Sequence, residues 1–495
     1  MSDAQVESSA MNALTDFRRE MRAVPSSGID LVDAERRVQA LTNALACEVM
    51  KEVMLRADAA EPEVIINGEV WGNRRTFRAS YVTMFGELEI ERGVYQRSGR
   101  GRVAVPLDLR LSIVEGSYTP RVARVMARAV GLMTSEEAEG LLEEVGVAKV
   151  SVSTLHRIPR AMAARYEKRR CEIEPAVRQS DPIPSETATI QVGIDGAMVP
   201  QDGEHARPRG RKTKSPEPPR HEQRYGSSSV KATAQDDHID GRAWHEAGVG
   251  TIAYYDLQGN RLKTTYLGQM PEADKASLVA LLNEEVQAVV AELPGVNICF
   301  ASDGALPQWT ALQTIEAALP ADFTGHTMYL LDLFHAAEHL QKAANAIYGE
   351  GSAAQKANAR VASENWKTTL ETHDDGAQRV LKSLRYQRDT LGLPPGRQKK
   401  LKQVIKYIAR HRSAGRVDYA EARRRNYPVG TGVTEAAAKT LIGVRMKRAG
   451  ARYSQHGGQT IFLFRGAILS RRFHLLARRL EDTYAANVVT SRVAA

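Results

Sequence analysis

Two apolar stretches, far apart in this chain, end in the same way. Thr189-Ile-Gln-Val-Gly-Ile-Asp195-Gly-Ala and Val296-Asn-Ile-Cys-Phe-Ala-Ser-Asp303-Gly-Ala each run through β-branched or bulky residues into an aspartate and then a glycine. In the first, Val192 and Ile194 alternate with smaller or polar residues, the pattern of a buried strand. Glycine directly after the carboxylate lets the backbone pass close to a ligand. Taken alone, either aspartate fits an ordinary Asp-Gly turn. Together they predict two strands that end in Asp195 and Asp303, with the carboxylates meeting at one edge of a sheet.

At 495 residues the chain is long enough for several domains, each with its own core. It holds no apolar run of bilayer length, and its first residues lack a basic-then-apolar signal pattern, so we expect a cytoplasmic protein with no membrane partner. Cys47, Cys171 and Cys299 are widely spaced in apolar surroundings and read as core thiols. The formal charge is +9. Basic residues crowd into 207–214, 397–402, Arg423-Arg-Arg425, Arg445-Met-Lys447-Arg448 and Arg471-Arg472. One such run is usually a solvated face, whereas five around a carboxylate site point to a polyanionic substrate.

The order of elements defines the expected organisation. Residues 1–60 comprise a polar, poorly ordered leader to about 28 and a helix from Asp33, with Val38, Leu41, Leu45, Val49 and Val53 at helical spacing. Residues 61–110 form a small β region with two strands about Gly86. Residues 111–180 are helical, and Thr134-Ser-Glu-Glu137 has capping-box spacing. Gly146, followed by a helix start carrying Ser153, His156 and Arg157, fits a DNA-binding helix-turn-helix and equally an αα-hairpin that only packs. Residues 185–340 read as strand, basic loop (201–240), hairpin, helix, strand, helix and strand. That is the order of a ribonuclease H-like core in an α/β protein. Residues 341–425 form an α-helical insertion, 426–480 return to the core with Glu435 on a helix, and 481–495 are a tail.

Asp195, Asp303 and Glu435 make a spaced set of three acids. Displacement at a phosphodiester needs a deprotonated nucleophile and neutralised charge on the leaving oxygen. Two Mg²⁺ (or Mn²⁺) ions about 3.5–4 Å apart supply both. Mg²⁺ takes hard oxygen ligands, so Asp195 is expected to bridge the ions, with Asp303 and Glu435 on one each. The plain alternatives are turn residues for the aspartates and a helix-dipole acid for Glu435. Asp332 and His335 close another strand and are candidate accessories, for metal or phosphate and for substrate respectively. His335 and His339 have zinc-like spacing without a third ligand, so no zinc is expected. Asp236, Asp237 and Asp240 read as solvated.

Gly193-Ile-Asp195-Gly-Ala, Trp244-His-Glu246, Ala301-Ser-Asp303-Gly-Ala, Leu331-Asp-Leu-Phe-His335 and Pro428-Val-Gly-Thr-Gly-Val-Thr-Glu435-Ala-Ala-Ala-Lys439, followed by Arg445-Met-Lys-Arg-Ala-Gly450, stand in one order along the chain. This series resembles the bacterial insertion-sequence transposases with a DDE triad, in particular the ISKra family, and more distantly the Mutator-like transposases. The resemblance spans roughly 82–480. It implies that Asp195, Asp303 and Glu435 are catalytic and metal-binding. It also implies binding of terminal inverted repeats in double-stranded DNA, nicking to a 3′-hydroxyl, and joining of that hydroxyl to target DNA by in-line displacement. Asp332-x-x-His335 is similar to a motif that the Mutator-like relatives carry before the glutamate. Many relatives have a Cys-x-x-Cys where this chain reads Tyr95-Gln-Arg-Ser-Gly-Arg-Gly101, so basic side chains rather than a metal are expected there.

Lys439, one helical turn after Glu435, together with Arg445, Lys447 and Arg448, is expected to line a phosphate track. Because two DNA ends must be held together, a homodimer or higher oligomer is the expected working form. The rival readings are a metal-dependent nuclease on the same fold and a non-catalytic, sequence-specific DNA-binding protein.

Overall fold

In a computed structural model of the protein, residues 3–23, 28, 30–97, 101–146, 150–202 and 242–490 are described. The basic stretch 207–214 and the acids Asp236, Asp237 and Asp240 lie outside them. The chain is mixed α/β and divides into two units, Met1–Asp181 with Arg471–Ala495, and Pro182–Ser470.

The first unit opens with helix α1 (Asp3–Ala23), where the polar composition predicts an unordered leader. The next helix, α2 (Leu31–Leu55), is the more apolar of the two, and Asp30 caps it by accepting from the Val32 and Asp33 N–H groups at 3.0 and 3.2 Å. Strands β1 (Val64–Ile66), β2 (Glu69–Thr83), β3 (Gly86–Gln96) and β4 (Val103–Ala104) then form an antiparallel sheet. The β2–β3 turn is built on Gly86 at φ 141° and on Thr83, whose hydroxyl donates to the Gly86 carbonyl at 2.9 Å. Met54, Tyr81, Leu88, Ile90 and Leu107 pack beneath it.

Helices α3 (Pro106–Arg110), α4 (Pro120–Leu132), α5 (Ser135–Glu144) and α6 (Val152–Gln179) follow. The capping box at α5 is formed in both directions: Glu137 N–H donates to the Thr134 hydroxyl at 3.2 Å, and Thr134 N–H to the Glu137 carboxylate at 2.9 Å. Cys171 lies exposed on α6, contrary to the expectation of a core thiol, whereas Cys299 is buried. Residues 481–490 of the expected tail are built into this unit. A helix, Phe473–Asp482, is tied to α4 by a two-pronged Arg124–Glu481 ion pair at 2.7 and 2.5 Å, and Val488–Thr490 pairs antiparallel with β1. Residues 471–480, expected in the catalytic core, therefore belong to this unit.

The second unit is organised on a sheet in the order β7-β6-β5-β8-β9. Strands β5 (Thr189–Asp202), β6 (Arg242–Tyr255) and β7 (Arg261–Gln269) form an antiparallel meander. Helix α7 (Ala276–Glu292), strand β8 (Asn297–Ser302), helix α8 (Leu306–Ala317) and strand β9 (Thr327–Leu331) add two parallel strands by crossovers. Because side chains alternate along a strand, Ile190, Val192 and Ile194 of β5 all enter the core with Leu278, Leu282, Trp309 and Leu312. Helices α9 (Leu333–Tyr348), α10 (Ala353–Thr372), α11 (Gly376–Thr390), α12 (Pro395–Ser413) and α13 (Tyr419–Arg424) make a helical block. The chain then returns to the sheet through α14 (Gly432–Ala437), a π-helical turn at Ala438–Gly443, α15 (Val444–Met446) and α16 (Gln455–Leu469).

Candidate active site

The face of β5 opposite the core is the foundation of the site. Gln191, Gly193 and Asp195 follow one another along it, and each receives part of the returning chain. The Gln191 amide donates to the carbonyls of Pro428 and Gly430 at 3.3 and 3.1 Å. Gly193 makes room for Thr434, whose hydroxyl hydrogen bonds to that of Thr251, the residue opposite Gly193 on β6, at 2.7 Å. A Cβ on Gly193 would lie 2.2 Å from the Thr434 oxygen. With Thr434 seated there, the next residue, Glu435, is carried to the cavity that Asp195 lines.

Asp195 does not end its strand, as the sequence suggests; β5 runs on to Asp202, paired throughout with β6. What ends is the other ladder. The parallel pairing of β5 with β8 stops at Gly193 opposite Ala301, and Asp195 and Asp303 lie two residues further along their respective strands. Asp195 thus stands where β5 loses one neighbour, which opens one side of it to a ligand. At Asp303 the chain turns through Gly304 at φ 108°, and the Asp303 carboxylate accepts from the Ala305 N–H at 3.1 Å.

Asp195, Asp303 and Glu435 line one cavity of about 250 Å³, together with Ile194, His335, Glu338, Thr431 and Thr434. Burial raises the Asp195 carboxyl above the ordinary aspartate range; the Gly196 N–H and Lys275 oppose the shift, while the charges of Asp303 and Glu435 add to it. The acids therefore sense one another and share a partly desolvated space. Lys439 lies 4.0 Å from Glu435 and is 79 % exposed. Among the described residues, no group of three His, Cys, Asp or Glu side chains is gathered tightly enough to hold a metal ion as it stands. The donor set itself, all carboxylate oxygen with excess negative charge, suits a hard divalent cation.

Asp332 is engaged by hydrogen bonds within the protein. It is 1 % exposed. One carboxylate oxygen caps α9 by accepting from the Phe334 and His335 N–H groups at 2.6 and 3.0 Å; the other accepts from the Thr431 N–H and hydroxyl. With four donors on its two oxygens it fastens the returning segment to the start of α9, and so positions His335 and Thr431 in the cavity wall. Arg445, expected on a phosphate track, is 4 % exposed and packed with Tyr453, its guanidinium donating to that hydroxyl at 3.3 Å. The π-helical turn before it alters the helical phase and turns this side chain inward. Lys447 and Arg448 are exposed.

Ser153, His156 and Arg157 lie exposed near the start of α6, with Arg157 donating to the Tyr118 hydroxyl at 3.2 Å. They belong to the first unit. Glu338 is a further acid of the cavity, and its only signal in the sequence is the spacing of three at which Asp332, His335 and Glu338 recur. No protein-family model matches this chain, and no curated protein matches it either. No helix among the described residues is long and apolar enough to cross a membrane.

Proposed function

We propose that the chain is a DNA transposase of the DDE type, akin to the ISKra family, which cleaves at the 3′ ends of an insertion sequence and joins them to target DNA. The observation that carries this reading is the meeting of Asp195, Asp303 and Glu435 at one cavity, from three elements widely separated in sequence. The sheet order β7-β6-β5-β8-β9 supports it, since a meander followed by parallel strands is the plan of a ribonuclease H-like core. A helical block inserted between β9 and the glutamate helix is also in keeping with it.

In this reading Asp195, Asp303 and Glu435 hold two Mg²⁺ or Mn²⁺ ions, with Glu338 beside them. The bound ions supply a deprotonated nucleophile and neutralise charge on the leaving oxygen. His335 lies against the substrate phosphate, and Asp332 keeps it there. Lys439, Lys447 and Arg448 take the phosphate backbone, while Arg445 holds their helix in place. The α5–α6 pair acts as a helix-turn-helix that offers Ser153, His156 and Arg157 to a major groove of the terminal repeat. A homodimer brings the two ends together.

The test is a pair of assays on duplex DNA carrying the sequences that flank the reading frame. One substrate is intact; the other is pre-cut to a 3′-hydroxyl. We expect Asp195→Asn, Asp303→Asn and Glu435→Gln each to reduce cutting and joining alike by roughly a thousandfold, with DNA binding retained. Cutting without joining of the pre-cut end would make the protein a nuclease. Full function of Asp195→Asn would make it a DNA-binding protein.

A further inference from the structure

The helical block carries a second cavity, distinct from the one that holds the acids. It lies between α9 and α12 and encloses about 880 Å³. Its wall carries Lys342 from α9 and Arg397, Lys400, Lys406 and Arg410 from α12, against a single acid, Glu350. Lys342, Lys400 and Lys406 are exposed, and no ion pair engages them among the described residues. Arg397 is held by the structure: it donates to the carbonyls of Ala346 and Ile347 at 2.7 and 2.8 Å and so closes the end of α9. A cleft with this much uncompensated positive charge is electrostatically costly to leave empty of anions, and it concentrates them from solution.

The cleft also adjoins the acidic cavity along α9. His335 faces the acids, and His339, one turn on, lines the cleft; their ring centroids are 6.3 Å apart. Tyr407 of α12 stacks on His339 at 3.8 Å, and its hydroxyl donates to the Asp303 carbonyl at 3.3 Å. Burial keeps the His339 imidazole uncharged near neutral pH, at about 4. Together these two rings form a flat wall between the carboxylates and the cations. A strand leaving the acidic cavity along α9 would meet that wall first and the row of cations next.

We propose that the α9–α12 cleft binds the phosphate backbone of the DNA strand that runs out of the acidic cavity, so that the helical block is itself part of the DNA-binding surface. The proposal rests on the transposase reading for the identity of its polyanion. Anchoring a flank there would fix the scissile phosphate at Asp195 from one side, while α14 and α15 hold it from the other.

The test uses the full chain and a fluorescein-labelled duplex with a single-stranded 3′ extension, followed by anisotropy over a range of salt. The variant is Lys342→Gln/Lys400→Gln/Lys406→Gln, on surface positions that leave the core intact. Removing three phosphate contacts should flatten the slope of log K against log salt by about 2–3, and weaken binding at least about tenfold at moderate salt. An unchanged slope and affinity in a chain that still cuts and joins DNA would overturn the proposal while leaving the transposase reading in place. A chain that binds DNA through the cleft but neither cuts nor joins would sink that reading and leave the cleft assignment standing. Displacement of the duplex by ATP at equal concentration, with the triple variant losing ATP rather than DNA, would assign the cleft to a free nucleotide and overturn the proposal.

Discussion

Thr434 rests on Gly193: the hydroxyl of one occupies the place where the other would carry a side chain, 2.2 Å from the position of a Cβ. The same hydroxyl bonds to Thr251 across the sheet. Glu435 reaches the cavity because its neighbour is seated there.

Gly193→Ala therefore tests how the site is assembled. A methyl group at that point must push α14 away, at a cost of about 1–3 kcal/mol for overpacking. We expect the melting temperature to fall by several degrees and DNA cleavage to fall much further, since the displaced residue is Glu435. Thr434→Ala in the same background removes the hydroxyl oxygen that meets the new methyl and should recover part of the activity. Cleavage at the parental level in Gly193→Ala would show that the glutamate does not depend on this seat.

Asp332→Ala removes a buried acceptor that holds four donors from Phe334, His335 and Thr431. Charged hydrogen bonds of this kind make the expected loss on the order of 3 kcal/mol, read by urea denaturation. If Asp332 positions rather than binds, Mg²⁺ affinity should fall far less in Asp332→Asn than in Asp195→Asn. Equal losses of Mg²⁺ affinity in the two variants would make Asp332 a ligand.

His411 is wholly buried in the helical block, against Tyr407 and Trp309, and its Nδ1 has no hydrogen-bond partner among the described residues. Burial, with Arg410 and Arg416 nearby, pushes its pKa from 6.5 down to about 4. A depressed value means that the unfolded chain takes up the proton first. The stability from this residue is thus present above about pH 6.5 and is lost as the pH falls towards 4. The loss should be on the order of 3 kcal/mol, seen in melts across that range. His411→Phe should flatten the curve; an equally steep one would place the titration elsewhere.

Asp195 carries the opposite sign. Its carboxyl is raised, so the folded chain holds the proton more tightly than the unfolded one, and stability declines as pH rises through the raised value. At neutral pH and without divalent ions, Asp195→Asn should melt higher than the parent. Mg²⁺ should raise the melting temperature of the parent and have little effect on the variant, and chelation should reverse the gain. A parent that Mg²⁺ does not stabilise would remove the reason for placing ions at these acids.

Much of the framework was readable from local chemistry. The α5 capping box, the Gly86 turn and the alternation of β5 each report a short-range rule, and each is found as read. The features that escaped depend on distant partners. Asp195-Gly196 looks like a strand end because the sequence cannot show that β6 outlasts β8 as a neighbour. Arg445 looks like a surface base because a single π turn, invisible in composition, rotates it inward. Glu338 is inconspicuous in the sequence because a glutamate on a polar helix face is ordinary until the sheet brings aspartates opposite it. Helix α1 is amphipathic but so polar on average that its composition reads as a leader.

Strand β1 borrows its outer neighbour from residues 488–490, some four hundred positions later. A growing polypeptide therefore cannot complete its first β-sheet until residues 488–490 have left the ribosome. Fragments that stop after α6 would keep an unsatisfied strand edge, an invitation to self-association. Anyone dissecting this molecule for its amino-terminal half would do better to graft the segment from Arg471 onward back on than to cut at the visible boundary.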